Sequence, residues 1–86
     1  MKKGFYSVWD SKSRSFCNPF SAHNDQCAIR DFAYAASDPT TDICKYPTDY
    51  TLFKIGSFDF ESGALTVEET PVSLGLASSM INFDKE

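Results

Sequence analysis

The first apolar segment of the chain has the alternation of a β-strand. Residues 5–9 read Phe-Tyr-Ser-Val-Trp, an aromatic and β-branched run that favours a strand. Its two faces carry alternate residues, with Phe5, Ser7 and Trp9 on one and Tyr6 and Val8 on the other. The polar residues 10–13 predict a turn. Residues 14–18 are then expected to return as a short second strand, which Pro19 would end or keep at an edge of the sheet.

The middle of the chain carries the helical period. Residues 24–37 begin with Asn24, a good capping residue, and Asp25, which complements the positive end of a helix. Apolar residues then recur at helical spacing: Ala28, Ile29, Phe32, Ala33 and Ala36. Pro39 cannot continue a helix, so residues 38–49 are expected to form a loop.

The second half of the chain predicts a hairpin. Residues 50–58 and 65–68 read as strands, joined by a turn in which Gly63 suits a positive φ. Gly56 within the first of them suggests a bulge or a close backbone approach. Pro71 is expected to close the second strand. Residues 72–81 are apolar without a clear period and fit a last strand or a short helix, and residues 82–86 should form a frayed acidic end.

These elements predict one α+β domain over residues 1–86. The order β-β-α-β-β favours a two-layer fold in which one helix packs on one face of an antiparallel sheet of about four strands. The expected core is contributed by both layers: Phe5 or Tyr6, Ile29, Phe32, Ala33, Phe53, Ile55, Leu65 and Val67.

Charge is distributed unevenly along the 86 residues. The net charge is −4, which excludes a strongly basic protein that coats nucleic acid without regard to sequence. Residues 1–30 nevertheless carry +3 and residues 31–86 carry −7. The first third of the chain could therefore meet a phosphate backbone, although an ordinary solvated surface explains the same counts.

The cysteines and the hydropathy pattern indicate a reducing compartment. The chain has three cysteines, an odd number that argues against a disulfide framework. No apolar run approaches eighteen residues, and Met-Lys-Lys leads directly into a strand pattern. A cytoplasmic protein with free thiols and no membrane association is expected.

Several segments together resemble a known family. Tyr6-Ser7-Val8-Trp9-Asp10-Ser11-Lys12 opens the chain, Pro19-Phe20 precedes the helix, and residues 46–59 read Tyr-Pro-Thr-Asp-Tyr-Thr-Leu-Phe-Lys-Ile-Gly-Ser-Phe-Asp before Gly63. This order is similar to the small nonstructural protein of the gokushoviruses, single-stranded DNA phages of the Microviridae. The resemblance covers residues 5–76, and residues 47–59 are its most specific part.

The resemblance implies a nonstructural protein that acts in the host bacterial cytoplasm. Members of this family are encoded beside the capsid, pilot and replication-initiator genes and are likened to the microvirus protein that diverts replication into single-strand synthesis and packaging. The family has no established catalytic residues to carry over. The three cysteines and Trp9, where a smaller aromatic residue is usual, depart from its pattern.

The residues themselves favour binding over catalysis. Cys17, His23, Cys27 and Cys44 could be imagined as zinc ligands, but their spacing has no Cys-x-x-Cys pair, and free thiols explain them better. A Cys–His nucleophile pair lacks an identifiable orienting group. No phosphate-binding glycine loop or paired carboxylates occur in the sequence. We therefore expect no catalytic residue, metal or cofactor.

Single-stranded DNA is the more specific of two predicted kinds of partner. Aromatic faces that stack bases and cations that follow the backbone hold single strands. The candidate residues interleave both kinds: Lys3, Tyr6, Trp9, Lys12, Arg14, Phe16 and Lys54. Leu52 and Phe58 could extend this surface along the third predicted strand.

Protein–protein contact is the alternative, since aromatic residues in a small sheet usually serve the core or a dimer. A half-covered sheet could be completed by a second copy, the phage replication initiator or the procapsid, without any nucleic acid. A homodimer is the expected form.

Overall fold

The structure is a computed structural model that describes the backbone of residues 1–84 and the side chains of residues 1–80. Its elements are β1 (Lys2–Asp10), β2 (Ser15–Phe16), β3 (Phe20–Ala22), α1 (Asp25–Ser37), α2 (Asp42–Lys45), β4 (Tyr50–Asp59), β5 (Leu65–Leu76) and α3 (Ala77–Asp84). All pairs are antiparallel and form a five-stranded sheet in the order β2-β1-β4-β5. The short β3 lies beside β2 on the same edge of β1. The predicted α+β class, with helix packed on an antiparallel sheet, is confirmed.

The main helix forms where the sequence predicts it. The Asn24 side chain accepts a hydrogen bond from the Cys27 amide at 2.9 Å and caps the first turn. Asp38 is extended at the other end, as expected of a residue that precedes proline. The four buried residues of α1 fall on one stripe: Ala28, Phe32, Ala33 and Ala36. This stripe fixes the face that α1 turns to the sheet.

The core lies between one face of the sheet and the helices. The sheet contributes Tyr6, Val8, Tyr50 and Leu52, α1 contributes its buried stripe, and α3 contributes Ala77 and Met80. Small alanines on α1 let the backbone approach the sheet closely, while Phe32 fills the space beside them. We call this the helix face of the sheet.

Several predicted boundaries were wrong. A strand that was not predicted, β3, follows Pro19 and precedes α1. The predicted loop over residues 38–49 contains α2, which Thr41 caps by accepting from the Cys44 amide at 3.1 Å. Residues 72–81 combine both alternatives, since β5 continues to Leu76 and α3 follows. Helix α3 extends to Asp84 into the predicted frayed end, of which residues 85–86 lie outside the described residues.

Pro71 does not end β5, because β5 is at the edge of the sheet. Gly56 pairs with Val67 and Lys54 with Val72, so residues 68–71 of β5 lie opposite Ile55 alone. An edge strand tolerates both the bulge and the missing amide donor of proline.

Leu65 and Val67 were wrongly predicted to be core residues. Their side chains are 56% and 72% exposed, because they lie on β5 and face away from the helices. Phe53 and Ile55 are only half-buried, whereas Tyr6, Phe32 and Ala33 are buried as predicted.

Gly56 occupies the close backbone approach that the sequence suggested. It is buried between β1 and β5, where it pairs with Phe5 and Val67. A Cβ atom built on Gly56 would collide with the backbone carbonyl oxygen of Thr66. Because a backbone atom cannot rotate away, β4 and β5 would have to separate locally.

Gly56→Ala is therefore expected to destabilise the fold by about 1–3 kcal/mol, the usual cost of overpacking. Urea unfolding followed by circular dichroism measures this change. Gly63→Ala is the matched control, since Gly63 has open space around it and only its φ of 78° opposes the substitution. Equal stability of Gly56→Ala and the wild type would contradict the packing of β4 against β5.

Candidate functional site

The sheet face that the helices leave uncovered is rich in aromatic and apolar side chains. Residues paired across antiparallel strands have side chains on the same face of the sheet. The partners of Lys3, Phe5, Ser7 and Trp9 on the neighbouring strands therefore belong to this uncovered face. They are Lys3, Phe5, Trp9, Phe16, Phe53, Phe58, Leu65 and Val67. We call this surface the open face. Its aromatic residues are half-buried or exposed, although nothing in the described part of the chain packs over them as a second layer.

Phe16 contacts two other rings of the open face. The Trp9 and Phe16 centroids are 5.0 Å apart at an interplanar angle of 58°, and the Phe16 and Phe53 centroids are 5.6 Å apart at 75°. Two hydrogen bonds hold the segment that carries Phe16: the Cys17 amide donates to the Val8 carbonyl at 2.8 Å, and the Ser7 hydroxyl donates to the Cys17 carbonyl at 2.7 Å. We call Trp9, Phe16 and Phe53 the aromatic cluster.

Two cations lie beside the aromatic cluster in the turn that joins β1 to β2. Lys12 and Arg14 are exposed there, between the strands that carry Trp9 and Phe16. Asp10 shapes the turn, because its carboxylate accepts from the Lys12 amide at 2.9 Å and the Ser13 amide at 3.4 Å. The first of these bonds is the main cause that lowers the pKa of Asp10. These hydrogen bonds therefore fix the backbone of the turn that carries the two cations.

The opposite end of β1 carries another cation beside an aromatic ring. The Lys3 ammonium lies 5.7 Å from the centroid of the Phe60 ring, within range of a cation–π contact. Lys3 is the cross-strand partner of Phe58, which in turn pairs with Leu65.

Tyr6 does not lie on the predicted binding surface. Its side chain is fully buried on the helix face, and its hydroxyl donates to the Asp25 carboxylate at 2.7 Å. Burial, and then this hydrogen bond, raise the pKa of Tyr6 above its usual value. A side chain in the core cannot stack a base, so Tyr6 is removed from the candidate site.

Lys54 and Leu52 also belong to the helix face. Lys54 pairs with Tyr6 across the sheet, and its ammonium lies 3.8 Å from the Asp25 carboxylate. Leu52 is fully buried. Neither side chain can therefore extend the open face. Five of the seven predicted residues lie on the open face or in the turn that adjoins it: Lys3, Trp9, Lys12, Arg14 and Phe16.

Phe53 is the ring that the sequence prediction missed, since it was placed in the core. The error was a choice of face, since alternation alone does not say whether Leu52 or Phe53 meets the helices. The bulge at Ile55 then changes the alternation of β4, so that Phe53 and Phe58 share the open face although they are five positions apart. The glycine after Ile55 was the one available signal of this change.

The thiols and the histidine do not converge. Among the residues that the structure describes, no group of three or more His, Cys, Asp or Glu side chains could hold a metal ion. Cys17 is exposed as a whole residue, but the surrounding protein partly desolvates its thiol. This desolvation raises the pKa of the thiol and favours the less nucleophilic protonated form.

A two-layer α+β fold with helices on one face and an uncovered aromatic face on the other defines the structural class. The chain belongs to the phage ORF5 protein family, whose family model matches residues 3–80. No curated protein and no solved structure gives a significant match. None of the described helices is long and apolar enough to cross a membrane.

Proposed function

We propose that this phage protein is a non-enzymatic nonstructural protein of the gokushovirus type, which binds single-stranded DNA in the host cytoplasm during genome replication or packaging. The open face is the binding surface in this proposal. The aromatic cluster stacks bases, and Lys12 and Arg14 contact the phosphates.

The observation that supports this function best is the position of the aromatic cluster directly beside the cationic turn. Each stacked base contributes roughly 1–3 kcal/mol, and stacking depends little on base identity. Cations beside the rings select a polyanion over an apolar partner, which gives the face a charge complementarity that an ordinary core surface lacks.

The net charge of −4 does not exclude this arrangement, although acids also lie near the turn, where Lys12 lines a depression with Asp10, Asp42 and Asp49. Other acids lie farther away. Glu68 and Glu69 lie on β5, where the bulge sets them at the far edge of the sheet from β2. A Debye length of about 10 Å at 0.1 M salt screens charges across that width. The acids of β5 therefore contribute little to the potential at the turn.

Lys12→Ala and Arg14→Ala are expected to weaken binding and to flatten its salt dependence. For single strands the logarithm of affinity falls with the logarithm of salt by about 0.7 per neutralised phosphate. Each substitution should therefore reduce the slope by about 0.7. Fluorescence anisotropy of labelled poly-dT over a salt series measures the slope.

Arg30→Ala is the matched control for these variants, because Arg30 is 75% exposed on α1 and distant from the open face. Its slope should equal that of the wild type. Absence of binding to the wild type even at low salt would overturn the proposed function.

Self-association through the open face is the second candidate. The exposure of Leu65 and Val67 beside the aromatic residues favours it, because a second copy would remove these side chains from water. Sedimentation at high concentration tests it: a strict monomer contradicts this candidate. Pull-down from infected cells with nuclease separates DNA from the replication initiator or procapsid, since only DNA-mediated recovery is nuclease-sensitive.

A further inference from the structure

The two ends of β1 each carry an aromatic group on the open face. Trp9 contacts Phe16 at one end, and Lys3 lies against the Phe60 ring at the other. Residues 3 and 9 are separated by an even number of positions and therefore face the same way. At roughly 3.3 Å per residue, about 20 Å lies between them.

The Lys3 end has the parts of a second stacking position. Phe60 is 46% exposed, so its ring is open to solvent as well as to the Lys3 ammonium. The neighbouring acids Asp59 and Glu61 lie 3.7 and 3.4 Å from the N-terminal ammonium of Met1, and Lys2 also acts on Asp59, so two cations offset these two acids. A phosphate beside Lys3 therefore meets little net repulsion.

Charge also selects a direction across the open face. Cations stand at both ends of β1, with Lys12 and Arg14 at one and Lys3 at the other. The acids Glu68 and Glu69 stand at the β5 edge. Acids such as Asp10 and Asp59 also stand at the ends of β1, but β5 carries its two acids with no cation, so a polyanion meets less repulsion along β1 than along β5.

We infer that the single strand lies along β1 and occupies two positions, the aromatic cluster and a second position formed by Phe60 and Lys3. This inference rests on the proposed function, and it adds a second DNA-binding position at the Phe60 end of the open face. A stacked strand that rises about 3.4 Å per nucleotide needs about six nucleotides to span 20 Å, and an extended strand needs fewer.

The test compares labelled dT3, which can fill one position, with labelled dT9, which can fill both. Phe60→Ala is expected to weaken dT9 about tenfold, the loss of one stacked base, and to leave dT3 unchanged. Lys3→Ala should reduce the salt slope for dT9 by about 0.7 and leave that for dT3 unchanged. Anisotropy at low salt measures the affinity of each protein for both oligonucleotides, and a salt series measures the slopes.

Tyr34→Ala is the matched control, because Tyr34 is an aromatic residue 73% exposed on α1. It should change neither affinity, and circular dichroism confirms that each variant is folded. If Phe60→Ala binds dT9 as the wild type does, or weakens dT3 and dT9 equally, the two-position inference is overturned while binding at Trp9 stands. If no oligonucleotide binds the wild type, the proposed function fails with it.

Discussion

Trp9→Leu is expected to weaken poly-dT binding by about 1–3 kcal/mol, or roughly 5- to 150-fold, because it removes the largest ring of the aromatic cluster. Leucine keeps an apolar side chain at this half-buried position, so the sheet should remain folded. Anisotropy of a labelled oligonucleotide measures the affinity without relying on tryptophan emission. Stacking should depend on the ring and not on apolar area alone.

Two further variants make this result specific. Trp9→Phe retains an aromatic face and should recover most of the lost affinity. Tyr34→Leu removes an exposed ring from α1 and should leave affinity unchanged. Equal affinities for Trp9→Leu and the wild type would show that the aromatic cluster does not hold bases.

Phe32→Ala is expected to destabilise the protein by about 3–5 kcal/mol, the cost of truncating a well-packed phenylalanine. Phe32 is 3% exposed and lies in the core between α1 and the sheet. At about 0.05–0.15 kcal/mol per residue, a domain of this size has about 4–13 kcal/mol of stability, so this loss is a large share of it. Thermal unfolding followed by circular dichroism should show a transition at a much lower temperature than in the wild type, or none.

Tyr34→Ala is the control on the same helix. Tyr34 is exposed, so this variant should differ from the wild type by no more than about 0.5 kcal/mol. A cooperative transition of Phe32→Ala near the wild-type temperature would mean that α1 does not pack through this residue.

The sequence predicted the parts of the fold that local chemistry determines. Alternation in residues 5–9 separated Tyr6 and Val8 from Phe5, Ser7 and Trp9, and the register of β1 confirms that division. The period of α1, its cap at Asn24 and the positive φ of Gly63 follow equally from single residues and their neighbours. These features need no knowledge of distant partners.

Sheet register could not be predicted, because it depends on which strands become neighbours. The bulge at Ile55 exchanges the faces of the two halves of β4, and it exists only in the pairing of β4 with β1 and β5. Strict alternation therefore placed Phe58 with Leu52. The assignment of Phe53 to the core was a separate error, because alternation does not show which face of β4 meets the helices. The same limit hid the edge position of β5, without which Leu65 and Val67 read as core residues.

The candidate site was predicted in part for a related reason. Which face of β1 meets the helix cannot be read from Phe5 and Tyr6 alone, since both are large and aromatic. The structure resolves the choice through the Tyr6 hydroxyl, which needs a partner when buried and finds Asp25 at the start of α1. Trp9 is left on the open face as a consequence.

Titration of the wild-type protein with poly-dT at low salt, followed by the emission of its single tryptophan, tests the central claim most directly. Trp9 lies within the aromatic cluster, so a base that stacks there should quench its emission in a saturable manner that added salt reverses. Emission that stays constant while a labelled strand binds would place the DNA elsewhere on the protein. Constant emission together with no binding of the labelled strand would contradict the claim that the open face binds single-stranded DNA.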